Sequence, residues 1–167
     1  MNNARAVVFP DGVAICGTFP QACFNPAFPV EQFGLTIFDP PYGEILETRW
    51  DQHEAAELAK SYIEWAEQIA LFTLPGGALY FWGGVGKPHY RPFFRFLTRV
   101  EEETGWTLAN LITWSKKRAY GLPYNYLFTR EECAYLTLGD PKKPRVFNVP
   151  LLQAKRGYPG YNEKYPA

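Results

Sequence analysis

The chain has 167 residues, 17 basic and 17 acidic, and its formal net charge is zero. That length suits one domain with a real core, and a composition 47% hydrophobic and 17% aromatic excludes an intrinsically disordered chain. No run approaches the roughly 20 apolar residues of a membrane-spanning helix, and the N-terminus does not read as a secretory leader.

In chain order, residues 6–9 and 13–16 read as short strands bracketing the Pro10-Asp11-Gly12 turn. The Pro-rich stretch 19–29 reads as loop with at most one helical turn. Leu35-Thr36-Ile37-Phe38 is a short apolar run that predicts a buried strand. Residues 53–74 predict the clearest helix, with Leu58, Tyr62, Trp65, Ile69 and Leu71 or Phe72 on one face. Pro75-Gly76-Gly77 would end it, since Gly and Pro favour helix C-termini. A strand at 78–82 follows, then the cluster Gly83-Gly84-Val85-Gly86, whose spacing matches neither common phosphate loop. That cluster reads either as a close-approach loop near a ligand or as an ordinary turn. A second helix is expected over 90–103, with Phe93, Phe94, Phe96, Leu97 and Val100 apolar. Strands at 108–114 and 131–138 complete the pattern, the last one antiparallel, giving an α/β domain.

The cysteines, Cys16, Cys23 and Cys133, are odd in number and lack metal-ligand spacing. They predict reduced, mostly buried thiols, a cytoplasmic protein and no metal site. His53 and His89 have no triad partners and read as surface or capping residues. Charge is unevenly spread: the stretch 44–67 and Glu101-Glu102-Glu103 are acidic, while Lys116-Lys117-Arg118, Lys142, Lys143, Arg145, Lys155, Arg156 and Lys164 are basic. Aromatic residues, Tyr120, Tyr124, Tyr126, Phe128, Phe147, Tyr158, Tyr161 and Tyr165, lie among or between these cations. Residues 116–167 therefore read as a basic and aromatic surface for nucleic acid, or as a solvated set of lysines over a small apolar pack.

The most informative segment is Asp39-Pro40-Pro41-Tyr42, between the 35–38 strand and Gly43. Ligands of open α/β sheets bind beyond the carboxyl ends of strands. Two consecutive prolines fix φ and push the preceding residue into an extended conformation, so the corner holds its carboxylate, carbonyls and ring in place. Asp-Pro pairs are also common punctuation, and a plain strand-ending turn is the alternative.

After an apolar strand, this tetrapeptide resembles the catalytic motif of the S-adenosylmethionine-dependent amino-methyltransferases of DNA. Further segments resemble the same family in order: Ile15-Cys16-Gly17-Thr18, Leu74-Pro75-Gly76-Gly77-Ala78-Leu79-Tyr80-Phe81, Leu111-Ile112-Thr113-Trp114-Ser115-Lys116 and Glu131-Glu132-Cys133-Ala134-Tyr135-Leu136-Thr137-Leu138-Gly139. Together they run over roughly residues 13 to 150. The resemblance implies a single Rossmann-like methyltransferase domain over 1–167, with a mostly parallel sheet and one antiparallel strand. It implies a catalytic Asp39-Pro40-Pro41-Tyr42, with Asp39, Pro40 and Gly17 at the S-adenosylmethionine site. Lys116, Lys117, Arg118 and Tyr120 would contact DNA. Asp at the first motif position implies methylation of adenine N6, the base being flipped into the pocket. The Phe-x-Gly-x-Gly cofactor segment of the family does not occur, and Thr18 stands where family members often carry Asp. This departure leaves an incomplete sheet, a fragment or a homodimer as expectations. Two other readings stay open: a non-catalytic nucleic-acid-binding or assembly subunit, and methylation of an amine on RNA or protein.

Overall fold

Six strands and two helices form in the residues that the computed structural model describes, namely 5–29, 32–43, 54–85, 90–120 and 128–139. β1 (Arg5–Phe9) and β2 (Gly12–Cys16) pair antiparallel as a separate hairpin. A short 3-10 turn, Gln21–Phe24, interrupts the Pro-rich loop as its composition predicts. The main sheet has the order β3-β4-β6-β5, built from β3 (Phe33–Phe38), β4 (Thr73–Gly83), β5 (Trp106–Tyr120) and β6 (Phe128–Leu138). The connecting helices are α1 (Ala55–Leu71), between β3 and β4, and α2 (Tyr90–Glu103), between β4 and β5.

The sheet has the expected character, mostly parallel with one antiparallel strand: β3, β4 and β5 run in the same direction and β6 alone opposes its two neighbours. Of its three pairings, β3 with β4 is parallel, whereas β4 with β6 and β6 with β5 are antiparallel. A parallel neighbour needs a crossover, which α1 supplies. No helix of the described chain lies between β5 and β6, and the two strands pair back on themselves out to Tyr120 and Phe128.

The core lies on one face of this sheet. Leu58, Tyr62, Ile63, Ala66 and Ile69 of α1 pack with Phe93, Phe96 and Val100 of α2 against Leu79, Phe81, Ala134 and Leu136. Phe81 stacks on Phe96 with ring centroids 4.3 Å apart and meets Tyr62 edge-on at 5.1 Å. Trp106 at the start of β5 is buried, and its indole N–H donates to the Ala66 carbonyl at 2.8 Å. That bond satisfies the polar end of a ring that otherwise fills apolar space.

The strand that leads into Asp39 is not buried on both faces as its composition predicts. Among the described residues β3 pairs only with β4, and Leu35 and Ile37 are 53% and 69% exposed. They point away from α1 and α2, which cover the opposite side. The same outer face carries Tyr80 against Tyr135, ring centroids 5.0 Å apart, and Trp82 against Trp114 at 5.9 Å.

α1 ends at Leu71, three residues before the expected end, for a local reason. The Phe72 N–H and the Thr73 hydroxyl both donate to the Ile69 carbonyl, and the Phe72 carbonyl accepts from Phe33 N–H at 2.7 Å. The last turn is thus closed by a β-branched residue and by the neighbouring strand. Pro75-Gly76-Gly77 then forms a bulge inside β4: Phe33 pairs with Thr73, yet Leu35 pairs with Ala78. Gly76 has φ 79°, and a Cβ at Gly77 would sit 2.6 Å from the Thr73 methyl.

Gly83 settles part of the glycine cluster. A Cβ there would lie 2.1 Å from the Phe93 ring, so the close approach is to a core aromatic of α2. Gly83→Ala should lower stability by about 1–3 kcal/mol through overpacking. A urea midpoint within error of the parent protein would contradict that contact. His53, Gly86, His89 and the basic residues from Lys142 onward lie outside the described residues.

Candidate active site

β3 ends at Phe38 and delivers Asp39 just beyond it; the two prolines follow, and the chain bends at Gly43, whose φ is 83°. Asp39 is exposed, Pro40 and Gly43 are buried, and Pro41 and Tyr42 are half-buried. The Tyr42 hydroxyl donates to Asp39 Oδ1 at 2.7 Å. The Tyr62 hydroxyl of α1 donates to the Pro41 carbonyl at 2.6 Å. Neither proline has an N–H, so this corner cannot be held by ladder hydrogen bonds from those residues. It is held from its side chains and its carbonyl instead.

The electrostatics keep the hydroxyl and thiol groups around the carboxylate neutral. Burial, the bond to Asp39 and the charges of Asp39 and Glu131 hold the Tyr42 hydroxyl well above the usual phenol range. Cys133 on β6 is buried, and its thiol is pushed up to about 12 by that burial, with the Asp39 charge adding to the shift. A thiol whose folded pKa exceeds its unfolded one favours the protonated fold. Stability from this group is complete below the unfolded value near 9 and is lost as pH rises towards 12. Urea midpoints should therefore fall between pH 9 and 11, and Cys133→Ala should flatten that fall. Equal slopes for parent and variant would refute it.

The other cysteines depart from expectation, since Cys16 is exposed and Cys23 half-buried at the edge of the fold. Neither lies under a helix, which is why the composition-based reading overstated their burial.

An apolar cavity of about 470 Å³ runs along β3, lined by Leu35, Thr36, Ile37 and Phe38 in succession. Val13 and Ile15 of β2, Phe19, Cys23, Phe28 and Phe38 are among its walls. Its size suits a small organic ligand. It reaches Phe38, one residue from the corner, but Asp39, Pro40 and Tyr42 do not line it, and neither does Gly17. Gly17 is exposed, just past β2. The structure therefore brings Asp39, Pro40, Pro41 and Tyr42 together and leaves Gly17 outside the cavity wall.

The basic stretch lies on β5, beyond the expected strand end at 114. Lys116 is paired with Glu131 of β6, and its ammonium sits 5.6 Å from the centre of the Trp114 ring. The backbones of Lys117, Arg118 and Tyr120 continue β5, and their side chains are outside the described residues, as is the aromatic segment 121–127. Next to this pair, Glu132 is buried and satisfied by the Thr113 hydroxyl at 2.7 Å and by Arg130 at 3.0 Å. Among the described residues no group of three or more His, Cys, Asp or Glu is placed to hold a metal ion.

Two partners of the corner were not foreseen from the sequence, Tyr62 and Cys133. Tyr62 was assigned to the apolar stripe of α1, which is correct. The overlooked signal was its hydroxyl, because a fully buried tyrosine must find a hydrogen-bond partner. Cys133 gave no comparable sign, since its proximity to Asp39 arises only from strand pairing.

No protein-family model and no curated protein matches this sequence. Solved structures do. The PvuII DNA methyltransferase (cytosine-N4-specific) superposes with a TM-score of 0.53 at 19% identity, over 70% of this chain and 46% of that one. The fold is one that a DNA methyltransferase uses. The crystal structure of the M1.HpyAVI–SAM complex gives a TM-score of 0.47 at 18% identity, covering 71% of this chain and 52% of that one. M1.HpyAVI on its own gives 0.42 at 17%, covering 70% and 60%. The chain thus spans about half the length of these structures. Among the described residues no helix is long and apolar enough to cross a membrane.

Proposed function

We propose that this chain carries the Asp-Pro-Pro-Tyr base pocket of an S-adenosylmethionine-dependent DNA amino-methyltransferase, acting on adenine N6. The observation that carries the reading is Asp39, an exposed carboxylate at the carboxyl end of a parallel strand, followed by a proline-locked corner. Its Asp-Pro-Pro-Tyr order is that of the amino-methyltransferases, and the sheet shares its fold with the PvuII enzyme.

The residues present fit a sulfonium cofactor in two respects. A carboxylate and adjacent carbonyl oxygens suit the neighbourhood of a cation, and the apolar cavity beginning at Phe38 is large enough for a purine. When bound, S-adenosylmethionine supplies an electrophilic methyl group on a positively charged sulfur.

The chain's own work is done on the amine. An exocyclic amine of a nucleobase is a poor nucleophile because its lone pair is delocalised into the ring. Asp39 and the Pro40 carbonyl accept hydrogen bonds from the two amino hydrogens, which favours a pyramidal nitrogen with its lone pair directed outward. Tyr42 offers its ring face to the extruded base, a contact worth about 1–3 kcal/mol. Preorganised acceptors at the right distance provide the acceleration, and no strong base is needed. Lys117, Arg118 and Tyr120 contact the DNA strand. Lys116 joins them through the end of its side chain once its pairing with Glu131 is exchanged for phosphate.

Two measurements test the reading. Calorimetric titration of S-adenosylmethionine into the protein should give saturable binding. Transfer of labelled methyl to duplex DNA, followed by nucleoside analysis, should yield N6-methyladenine. N4-methylcytosine would keep the enzyme class and overturn the base assignment. Saturable DNA binding without cofactor binding would favour the non-catalytic subunit.

A further inference from the structure

We propose that Tyr62 is a positioning residue that sets the orientation of the Asp39–Tyr42 corner through the carbonyl of Pro41. The inference rests on the methyltransferase reading for its kinetic consequence and on geometry alone for the tie itself.

Tyr62 is 1% exposed and sits in the second turn of α1, 21 residues beyond the carbonyl it reaches. Its ring is held on three sides, by Phe81 at 5.1 Å, Trp65 at 5.9 Å and Phe96 at 6.1 Å between centroids. Such a ring has almost no freedom in a close-packed interior. Its hydroxyl is therefore a fixed donor, and the 2.6 Å bond to the Pro41 oxygen transmits the position of the core to the corner.

The peptide unit at stake lies between Pro41 and Tyr42. Proline fixes φ at residues 40 and 41, so the freedom left in the corner is chiefly in ψ of Pro41, which is the angle that turns this carbonyl. The same rotation carries the Tyr42 N–H, backbone and ring with it. Tyr42 in turn donates its hydroxyl to Asp39 Oδ1 at 2.7 Å. One buried hydroxyl is thus linked through two hydrogen bonds to both side chains that would meet the base. Tyr62 itself is buried behind the corner, so its role is orientation.

Tyr62→Phe keeps the packed ring and removes only the donor. The variant should remain folded, with its thermal midpoint within a few degrees of the parent. Hydrogen exchange at the amides of Tyr42 and Gly43 should accelerate by about tenfold or more, while the β4 and β6 amides stay unchanged. In methyl transfer to duplex DNA, kcat should fall by about tenfold to a hundredfold, with KM for cofactor and DNA little changed. Phe96→Leu loosens the same core without touching the hydroxyl and should not reproduce the local exchange pattern.

Unchanged exchange at Tyr42 and Gly43 in Tyr62→Phe overturns the tie. Faster exchange with unaltered kcat overturns the positioning role. A parent protein that transfers no methyl group to any substrate removes the methyltransferase reading instead, and the exchange comparison then decides the tie by itself.

Discussion

Asp39→Ala should lower methyl transfer by about a hundredfold to a thousandfold while leaving the protein folded. The magnitude follows from removing one preorganised partner of the reacting group, which costs about 10²–10³ in rate in comparable sites. Stability should barely change, because Asp39 is exposed and the one hydrogen bond described for it comes from Tyr42. The Tyr42 hydroxyl then loses its acceptor but stays at the half-buried surface, where water can replace it. Asp39→Asn is the informative companion. It keeps one acceptor oxygen and the side-chain shape, and it should retain more activity than the alanine variant. Thermal midpoints measured beside turnover separate a chemical loss from unfolding. Turnover unchanged in Asp39→Ala would take this carboxylate out of the reaction altogether.

Phe81→Ala should have the largest effect on stability, about 3–5 kcal/mol. Phe81 is fully buried near the carboxyl end of β4, stacked on Phe96 and in contact with Tyr62 and Phe38. Truncation leaves a cavity where the sheet meets both helices. A loss of that size is a large fraction of the roughly 5–15 kcal/mol by which domains are stable. For a chain of this length it corresponds to a fall in thermal midpoint of roughly 6–20 °C. Because Phe38 is the last residue of β3 and touches Phe81, the corner should loosen as well. Chemical denaturation of parent and variant measures this directly, and a difference below about 1 kcal/mol would show that the core closes over the gap.

Much of the site was legible in the chain because its information is local. Two adjacent prolines and a terminal aromatic shape a corner whatever surrounds it, and a short apolar run before them reads as a strand. The helix faces were legible for the same reason: Leu58, Tyr62 and Ile69, and Phe93, Phe96 and Val100, recur with helical spacing and are buried together. What failed was wherever a partner distant in sequence decides. The end of α1 depends on Phe33 and Thr73, neither of which alters the periodicity of the helix. Exposure of Leu35 and Ile37 depends on what stands beside β3, which composition does not record. The reading of Gly83 stayed open between a ligand loop and a turn because a glycine's need for space says nothing about which neighbour takes it.

The sequence alone determined the order of elements, the apolar faces of both helices and the acidic, proline-braced turn, since each rests on contacts within a few residues. Tertiary structure alone decided the extension of the β5–β6 pairing out to Tyr120 and Phe128, the placement of Cys133 near Asp39 and the grip of Tyr62 on the Pro41 carbonyl. Those depend on strand register and on how α1 lies across the sheet, which are set by packing between segments far apart in the chain.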